Sequence, residues 1–213
     1  MITTDAAVHP YPAGDSSLRR MASEAHELGF DSIVAIDGQN TEMYGVRVIR
    51  GVLISENQLK NVIGQVRRRS GKGDLVIVNA GETAFNRSVI AVKEVGILRH
   101  IHKAPKNSFD HVAARLASER GVAIDLDLHP VIHMKGPSRQ RVLQKYRDII
   151  RLHTRYRFPL TVSSNAYSVL DMRSPDEMKS ICRVFGMSGQ DVDDALSAIS
   201  RLFNPGSAVK VVR

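Results

Sequence analysis

The sequence predicts an α/β fold on a parallel sheet, and three observations carry that expectation. Short β-branched runs alternate with amphipathic helical patterns through most of the 213 residues. The runs are apolar at consecutive positions, as in Leu75-Val76-Ile77-Val78, which is how a strand covered on both faces reads. The length suits one domain spanning residues 1–213. Repeated strand–helix units with parallel strands leave two solutions, an open doubly wound sheet or a closed barrel.

Seven strands are expected, at residues 5–9, 32–37, 46–54, 75–79, 95–101, 122–128 and 160–163. Seven is slightly lean for eight full barrel units. After the first strand, Leu18, Met21, Ala22 and Ala25 share one helical face. The stretch 37–44 between the second and third strands is too short for a helix. Leu59, Val62, Ile63 and Val66 mark the next helix, with Ser55 and Gln58 expected as its capping box. Its end, Arg67-Arg68-Arg69-Ser70-Gly71-Lys72-Gly73, puts cations at a helix C-terminus, where the macrodipole favours them, with Gly71 as the cap. Phe109, Val112, Ala113, Leu116 and Ala117 form another apolar face, followed by a basic helix over residues 138–157. Two helical patterns, 175–185 and 190–203, close the chain. Ser174-Pro175-Asp176-Glu177 supplies an N-cap, a proline at the first helical position and acids in the first turn. The tail from Asn204 is expected to fray.

Composition narrows the function. Hydrophobic residues make up 43% and charged residues 24%, an ordinary folded mixture. One cysteine, Cys182, excludes a disulfide framework and a cysteine-built metal centre within the chain. It lies on an apolar helical face with Met178, Ile181 and Phe185 and reads as a core thiol. The opening Met1-Ile2-Thr3-Thr4-Asp5 lacks a basic segment followed by an apolar run, and no stretch reaches the roughly 18 apolar residues of a membrane span. A cytoplasmic protein without membrane partners is expected.

Thirty Lys+Arg against 22 Asp+Glu leave a net charge of +8, and 21 of the cations are arginine. Such a field attracts polyanions, and arginine forks suit phosphate. With no Trp, five Tyr and six Phe, a base-stacking sheet platform is disfavoured. The 138–157 helix carries Arg139, Arg141, Lys145, Arg147, Arg151, Arg155 and Arg157 against one acid, Asp148. Its apolar face runs Val142, Tyr146, Ile149, His153. Arg147, Arg151 and Arg155 repeat at four-residue spacing, where like charges repel, so a polyanion partner is favoured over a merely solvated stripe.

Motif tests exclude several chemistries. The segment around Lys72 fails as a phosphate loop because Gly64 to Gly71 is too long, Gly73 replaces the hydroxyl residue, and the segment closes a helix instead of opening one. No dinucleotide fingerprint or nucleophile elbow occurs. The histidines permit a metal reading. His9, His100, His102, Asp125, Asp127 and His129 all fall at expected strand ends, the active-site face of a barrel, and His100 and His102 would share one strand face. A barrel metallohydrolase using His9, His100, His102, Asp125 and His129 is the rival reading.

Several blocks, in order, resemble ribonuclease P protein component 3, the thirty-kilodalton-type subunit of archaeal and eukaryotic ribonuclease P. Arg50-Gly51-Val52-Leu53-Ile54 resembles the family's third-strand "Gly-Val-Glu-Ile" block, with Leu53 in place of the acid. Leu75-Val76-Ile77-Val78 and Asn86-Arg87 resemble the next strand and its "Asn-Arg" block. His111-Val112-Ala113-Ala114-Arg115-Leu116-Ala117 is similar to the "Asn-His-Val-Leu-Ala-Lys-Leu-Ala" helix. Val122 to Pro130 resembles "Val-Ala-Ile-Glu-Phe-Asn-Leu-Arg-Pro", with His129 where Arg is usual. Ser163-Ser164-Asn165-Ala166 and Arg173-Ser174-Pro175-Asp176 resemble the closing signature. The likeness covers roughly residues 45–187.

The resemblance implies a TIM-barrel-like (βα) barrel, incomplete or distorted, with about seven parallel strands. It relates the fold to the polymerase-and-histidinol-phosphatase superfamily with the metal ligands largely lost. It also implies 5′ maturation of precursor tRNA, with ribonuclease P RNA, precursor tRNA, protein component 2 (a heterotetramer being one arrangement) and other ribonuclease P proteins as partners. No catalytic residue and no cofactor or metal on this chain are then expected, with Mg²⁺ on the RNA subunit. Arg87, His111 and Arg173 are expected RNA contacts from the matched motifs. Arg67, Arg68, Arg69, Lys72, Arg99, Lys103, Arg139 and Arg141 are expected from charge clustering.

Overall fold

Parallel strands bury both faces, so the apolar runs identified above assemble side by side with helices outside them. The computed structural model describes residues 2–203; the tail from Asn204 expected to fray lies outside the described residues. The strands are β1 (Thr4–Val8), β2 (Ser32–Ile36), β3 (Thr41–Met43), β4 (Val46–Ile54), β5 (Leu75–Asn79), β6 (Val95–Arg99), β7 (Ala123–Asp127) and β8 (Leu160–Ser163). Seven of them run parallel in the order β1-β2-β4-β5-β6-β7-β8. The eighth, β3, is not among the expected strands. It fills the short 37–44 connection and pairs antiparallel with β4 through Thr41↔Val48 and Met43↔Val46.

The sheet nearly closes into a barrel. Between β8 and β1 a single parallel bridge joins Val8 to Ala166, and the His9 amide donates to the Ala166 carbonyl at 2.7 Å. A side chain completes this seam. The Asp5 carboxyl accepts from the Ser164 amide at 3.0 Å and from the Ser164 hydroxyl.

The helices are α1 (Leu18–Glu27), α2 (Leu59–Arg69), α3 (Thr83–Ile90), α4 (His111–Arg120), α5 (His129–His133), α6 (Gly136–Tyr156), α7 (Pro175–Arg183), α8 (Gly189–Leu196) and α9 (Ala198–Phe203). The expected capping box at Ser174 forms with Glu177. The one expected at Ser55 does not. α2 starts on Gln58 without a side-chain cap, and the Ser55 hydroxyl instead accepts from Asn79 Nδ2 at 2.8 Å. At the other end of α2 the cap is Ser70, not Gly71, because the Ser70 amide and hydroxyl both donate to the Val66 carbonyl. The pattern at 190–203 divides at Ser197 into α8 and α9.

Two apolar layers result. Val34, Ile36, Ile49, Leu75, Ile77, Ile97 and Ala123 fill the barrel, and Ile199 of α9 joins them. A larger layer between strands and helices includes Val48, Val76, Leu98 and Ile124 with Met21, Val62, Tyr146 and Cys182. The buried, free thiol of Cys182 is core, as expected, and burial pushes it up to about 12. Gly51 has a packing reason: a Cβ there would lie 2.8 Å from Val34 Cγ1 and 3.1 Å from Ile36 Cδ1. No helix among the described residues is long and apolar enough to cross a membrane.

Candidate functional site: a polar barrel mouth and a basic exterior

Strand alternation sets the inner lining. Residues two apart share a face, so inward Ile97 brings Arg99 inward, and inward Ala123 brings Asp125 and Asp127 with it. Arg99, Asp5, Asp125, Asp127, Thr161, Ser163 and Asn165 are all buried. Asn165, just past β8, is the hub. Its Oδ1 accepts from Arg99 Nη2 at 2.5 Å and lies 2.6 Å from His9 Nε2, while its amide donates to Asp127 Oδ2 at 2.9 Å. Asp125 accepts from Thr161 and Ser163 hydroxyls at 3.0 and 2.8 Å. The Tyr146 hydroxyl donates to the Asp127 carbonyl at 2.8 Å and sits 3.1 Å from His102 Nδ1, which places the imidazole proton on Nδ1. His9 stacks on Tyr167 with ring centres 4.1 Å apart.

Burial dominates the electrostatics here. It raises Asp5 and Asp127 to about 7 and pushes Asp125 up as well, with Arg99 opposing it at Asp125 and Asp127. Burial, reinforced by the charge of Arg99, lowers His9 to about 4 and His100 to about 2. Burial with Lys103 and Arg99 lowers His102 to about 4. The imidazoles are therefore neutral at pH 7, and the permanent cation of this centre is a guanidinium.

The metal-hydrolase reading does not survive this geometry. Among the described residues no group of three or more His, Cys, Asp or Glu side chains is arranged to hold a metal ion. The reason is local. β6 ends at Arg99, and His100 takes a left-handed backbone with φ 55°. His100 and His102 therefore do not share a strand face, and their rings meet edge-on at 77°. Asp125 is held by two hydroxyls, Asp127 by Asn165 and the His129 amide. A hydrolytic metal does not fit these residues.

The expected RNA contacts separate into an inside and an outside. Arg99 is the correction: it is fully buried, because its strand position points it into the barrel, so it does not join the surface set. Arg67, Arg68 and Lys72 are exposed around the end of α2. Arg69 beside them pairs with Asp37 at 2.5 Å and donates to the Leu53 carbonyl. Arg87 pairs with Asp110, the N-cap of α4, which places it next to exposed His111. Arg139 donates to the Met134 and Ile132 carbonyls, Arg173 to those of Leu170 and Met172, and Arg141 to the Ser138 hydroxyl. Lys103 is exposed in the loop after β6. On α6, Arg147, Arg151 and Arg155 all face outward. Asp5, Asn165 and Ser164 escape sequence reasoning, because their roles arise only when β1 and β8 meet. The one visible signal is the polar run Ser163-Ser164-Asn165 at a strand end.

Comparison with solved structures defines the class first. The chain is similar in fold to the histidinol phosphate phosphatase of Lactococcus lactis (TM-score 0.57, 10% identical, 94% of each chain covered). It is more similar to a chain in the cryo-EM structure of archaeal ribonuclease P with mature tRNA (TM-score 0.78, 19% identical, 93% of this chain and 90% of that one). It is thus a βα barrel whose centre holds a buried arginine. Residues 2–208 match the family described as RNase P subunit p30, and the chain belongs to that family. Among its relatives, ribonuclease P protein component 3 of Methanosarcina acetivorans is 33% identical over 208 residues, covering 92% of this chain and 84% of the relative. The Methanosarcina mazei protein of the same name is 29% identical over 206 residues, covering 92% and 86%.

Proposed function

We propose that the chain acts in ribonuclease P as a non-catalytic protein subunit that holds the RNA, and through it precursor tRNA, in the form that loses its 5′ leader. The observation that carries this reading is the family match over residues 2–208. The exterior supports it, with exposed cations at Arg67, Arg68, Lys72, Lys103, Arg141, Arg147, Arg151 and Arg155. RNA helices repel through their phosphates, and arginines on a rigid barrel lower that repulsion at fixed spacing. Paired or carbonyl-anchored arginines (Arg69, Arg87, Arg139 and Arg173) are already oriented, so binding costs them less side-chain freedom. Bond breaking belongs to the RNA subunit and its Mg²⁺ in a two-metal displacement. Protein component 2 and other ribonuclease P proteins are the proposed protein partners, in the cytoplasm.

The test is reconstitution. The chain alone should cleave no precursor tRNA. Added with component 2 to ribonuclease P RNA, it should lower the Mg²⁺ concentration required for cleavage. An unchanged Mg²⁺ requirement, or hydrolysis by the isolated chain, would overturn the reading.

A further inference from the structure

A cavity of about 620 Å³ opens between the ends of β4 and β5 and the start of α3, with Ser55, Asn57, Asn79, Glu82, Phe85 and Pro105 in its wall. That volume lies within the roughly 300–1,000 Å³ of small-ligand sites. One of its acceptors is not consumed by the fold. Asn79 donates from its amide nitrogen to Ser55, but its Oδ1 is shut off from solvent and has no hydrogen-bond partner. Leaving a buried acceptor unpaired is unfavourable; Asn79 lines the cavity, so a turn of its side chain that brings Oδ1 to an entering N–H donor would recover that loss. The Phe85 ring lies against Gly81, where a Cβ would come within 2.9 Å of it. The missing side chain lets an aromatic ring line the cavity. Phe85 and Pro105 thus supply flat apolar surface, and Asn79, Asn57 and Ser55 supply an edge of hydrogen-bonding groups.

We infer that this cavity receives one unpaired nucleobase of an RNA strand, its N–H edge donating to Asn79 Oδ1. The inference rests on the RNA-binding function proposed above. A bare phosphate is the wrong ligand, since among the described residues no cationic side chain lines the cavity and Glu56 and Glu82 do. A basic protein side chain fits less well for two reasons. Glu56 already accepts from the Asn61 and Gln65 amides at 3.2 and 3.4 Å. Lys103 and Lys106, exposed on the loop that carries Pro105, have no carboxylate partner among the described residues. They would repel a basic segment and attract the phosphates on either side of an inserted base. Stacking on an aromatic ring and one hydrogen bond suit a base from a bulge or loop, the parts of RNA that proteins read in this way.

The experiment compares fluorescein-labelled RNA hairpins, one fully paired and one with a single unpaired nucleotide, binding to the full chain at fixed salt. The bulged hairpin should bind at least about 5-fold more tightly. Asn79→Ala should abolish the preference while leaving paired-hairpin affinity unchanged. Asn57→Ala, at an exposed loop position that carries little folding risk, should reduce it. Equal affinity for both hairpins, or a preference that survives both substitutions, would overturn the pocket assignment. Absence of binding to either hairpin would overturn the RNA-binding reading itself. If N-acetyl-arginine amide competes with the bulged hairpin and Asn79→Ala removes that competition, the cavity is a protein-docking site and the inference fails.

Discussion

Arg99 and Arg67 are the same residue type in opposite surroundings. Arg99 is sealed inside the barrel, its charge acting on Asp125 and Asp127, with its Nε and Nη1 lacking partners. Arg67 stands in solvent on the last turn of α2. In sequence both belong to the excess of cations. In the structure the first balances buried carboxyls, and the second is available to a polyanion. Net charge therefore overstates the binding surface, and burial decides which arginines belong to it.

The largest effect should come from the interior. Arg99→Met keeps the bulk and removes the charge. Asp125 and Asp127 then lose the cation that favours their ionised forms. The cost should be about 3–5 kcal/mol at pH 8, measured by urea unfolding, and smaller at pH 5, where Asp127, raised to about 7, carries a proton. A loss that is the same at both pH values would show that Arg99 does not balance these acids.

A smaller effect isolates the carboxyls. Burial holds Asp5 at about 7 in the folded chain, above its ordinary 3.8. Its contribution is full below the unfolded value and is lost as pH rises through about 7. The lowered imidazoles of His9 and His102 act in the opposite sense. Their contribution is full above 6.5 and is lost as pH falls through about 4. Between pH 6.5 and 8 the unfolded imidazoles still lose protons, but they do so in the wild type and in Asp5→Asn alike, so the difference between the two chains isolates Asp5. Relative to Asp5→Asn, the urea midpoint of the wild-type chain should fall across that window. Equal slopes would remove Asp5 from the account.

The same contrast explains what is legible in the sequence. β4, β5 and β8 appear at the expected residues, because consecutive apolar β-branched residues have few other uses. β3 does not, because Thr41-Glu42-Met43 has no pattern of its own and forms only against β4. The His100/His102 pair misleads because a single left-handed residue, invisible in the sequence, ends the strand between Arg99 and Ile101. Arg99 itself is within reach. Period-two reading from Ile97 points it inward, but charge clustering draws it to the surface. The Asp5–Ser164 seam joins residues 159 apart, and no local pattern announces such a contact.

The smallest effect on stability should accompany a clear effect on binding, which makes it the sharpest separation of inside from outside. Arg67, Arg68 and Lys72 are exposed, and none of them forms an ion pair among the described residues. Replacing all three by Ala should move unfolding free energy by no more than about 0.5 kcal/mol per site. Removing one cation from a phosphate should lower the slope of log affinity against log salt by roughly 0.9 on duplex RNA, taking the value for B-form DNA. Removing three therefore reduces it by about 2.7. Arg69 is left in place because its bonds to Asp37 and Leu53 tie it to the barrel, and its removal would mix stability with binding. A triple variant that folds as the wild type and keeps the full salt slope would mean that this end of α2 faces solvent in the assembly. The α6 stripe of Arg147, Arg151 and Arg155 would then be the basic surface on which the RNA lies.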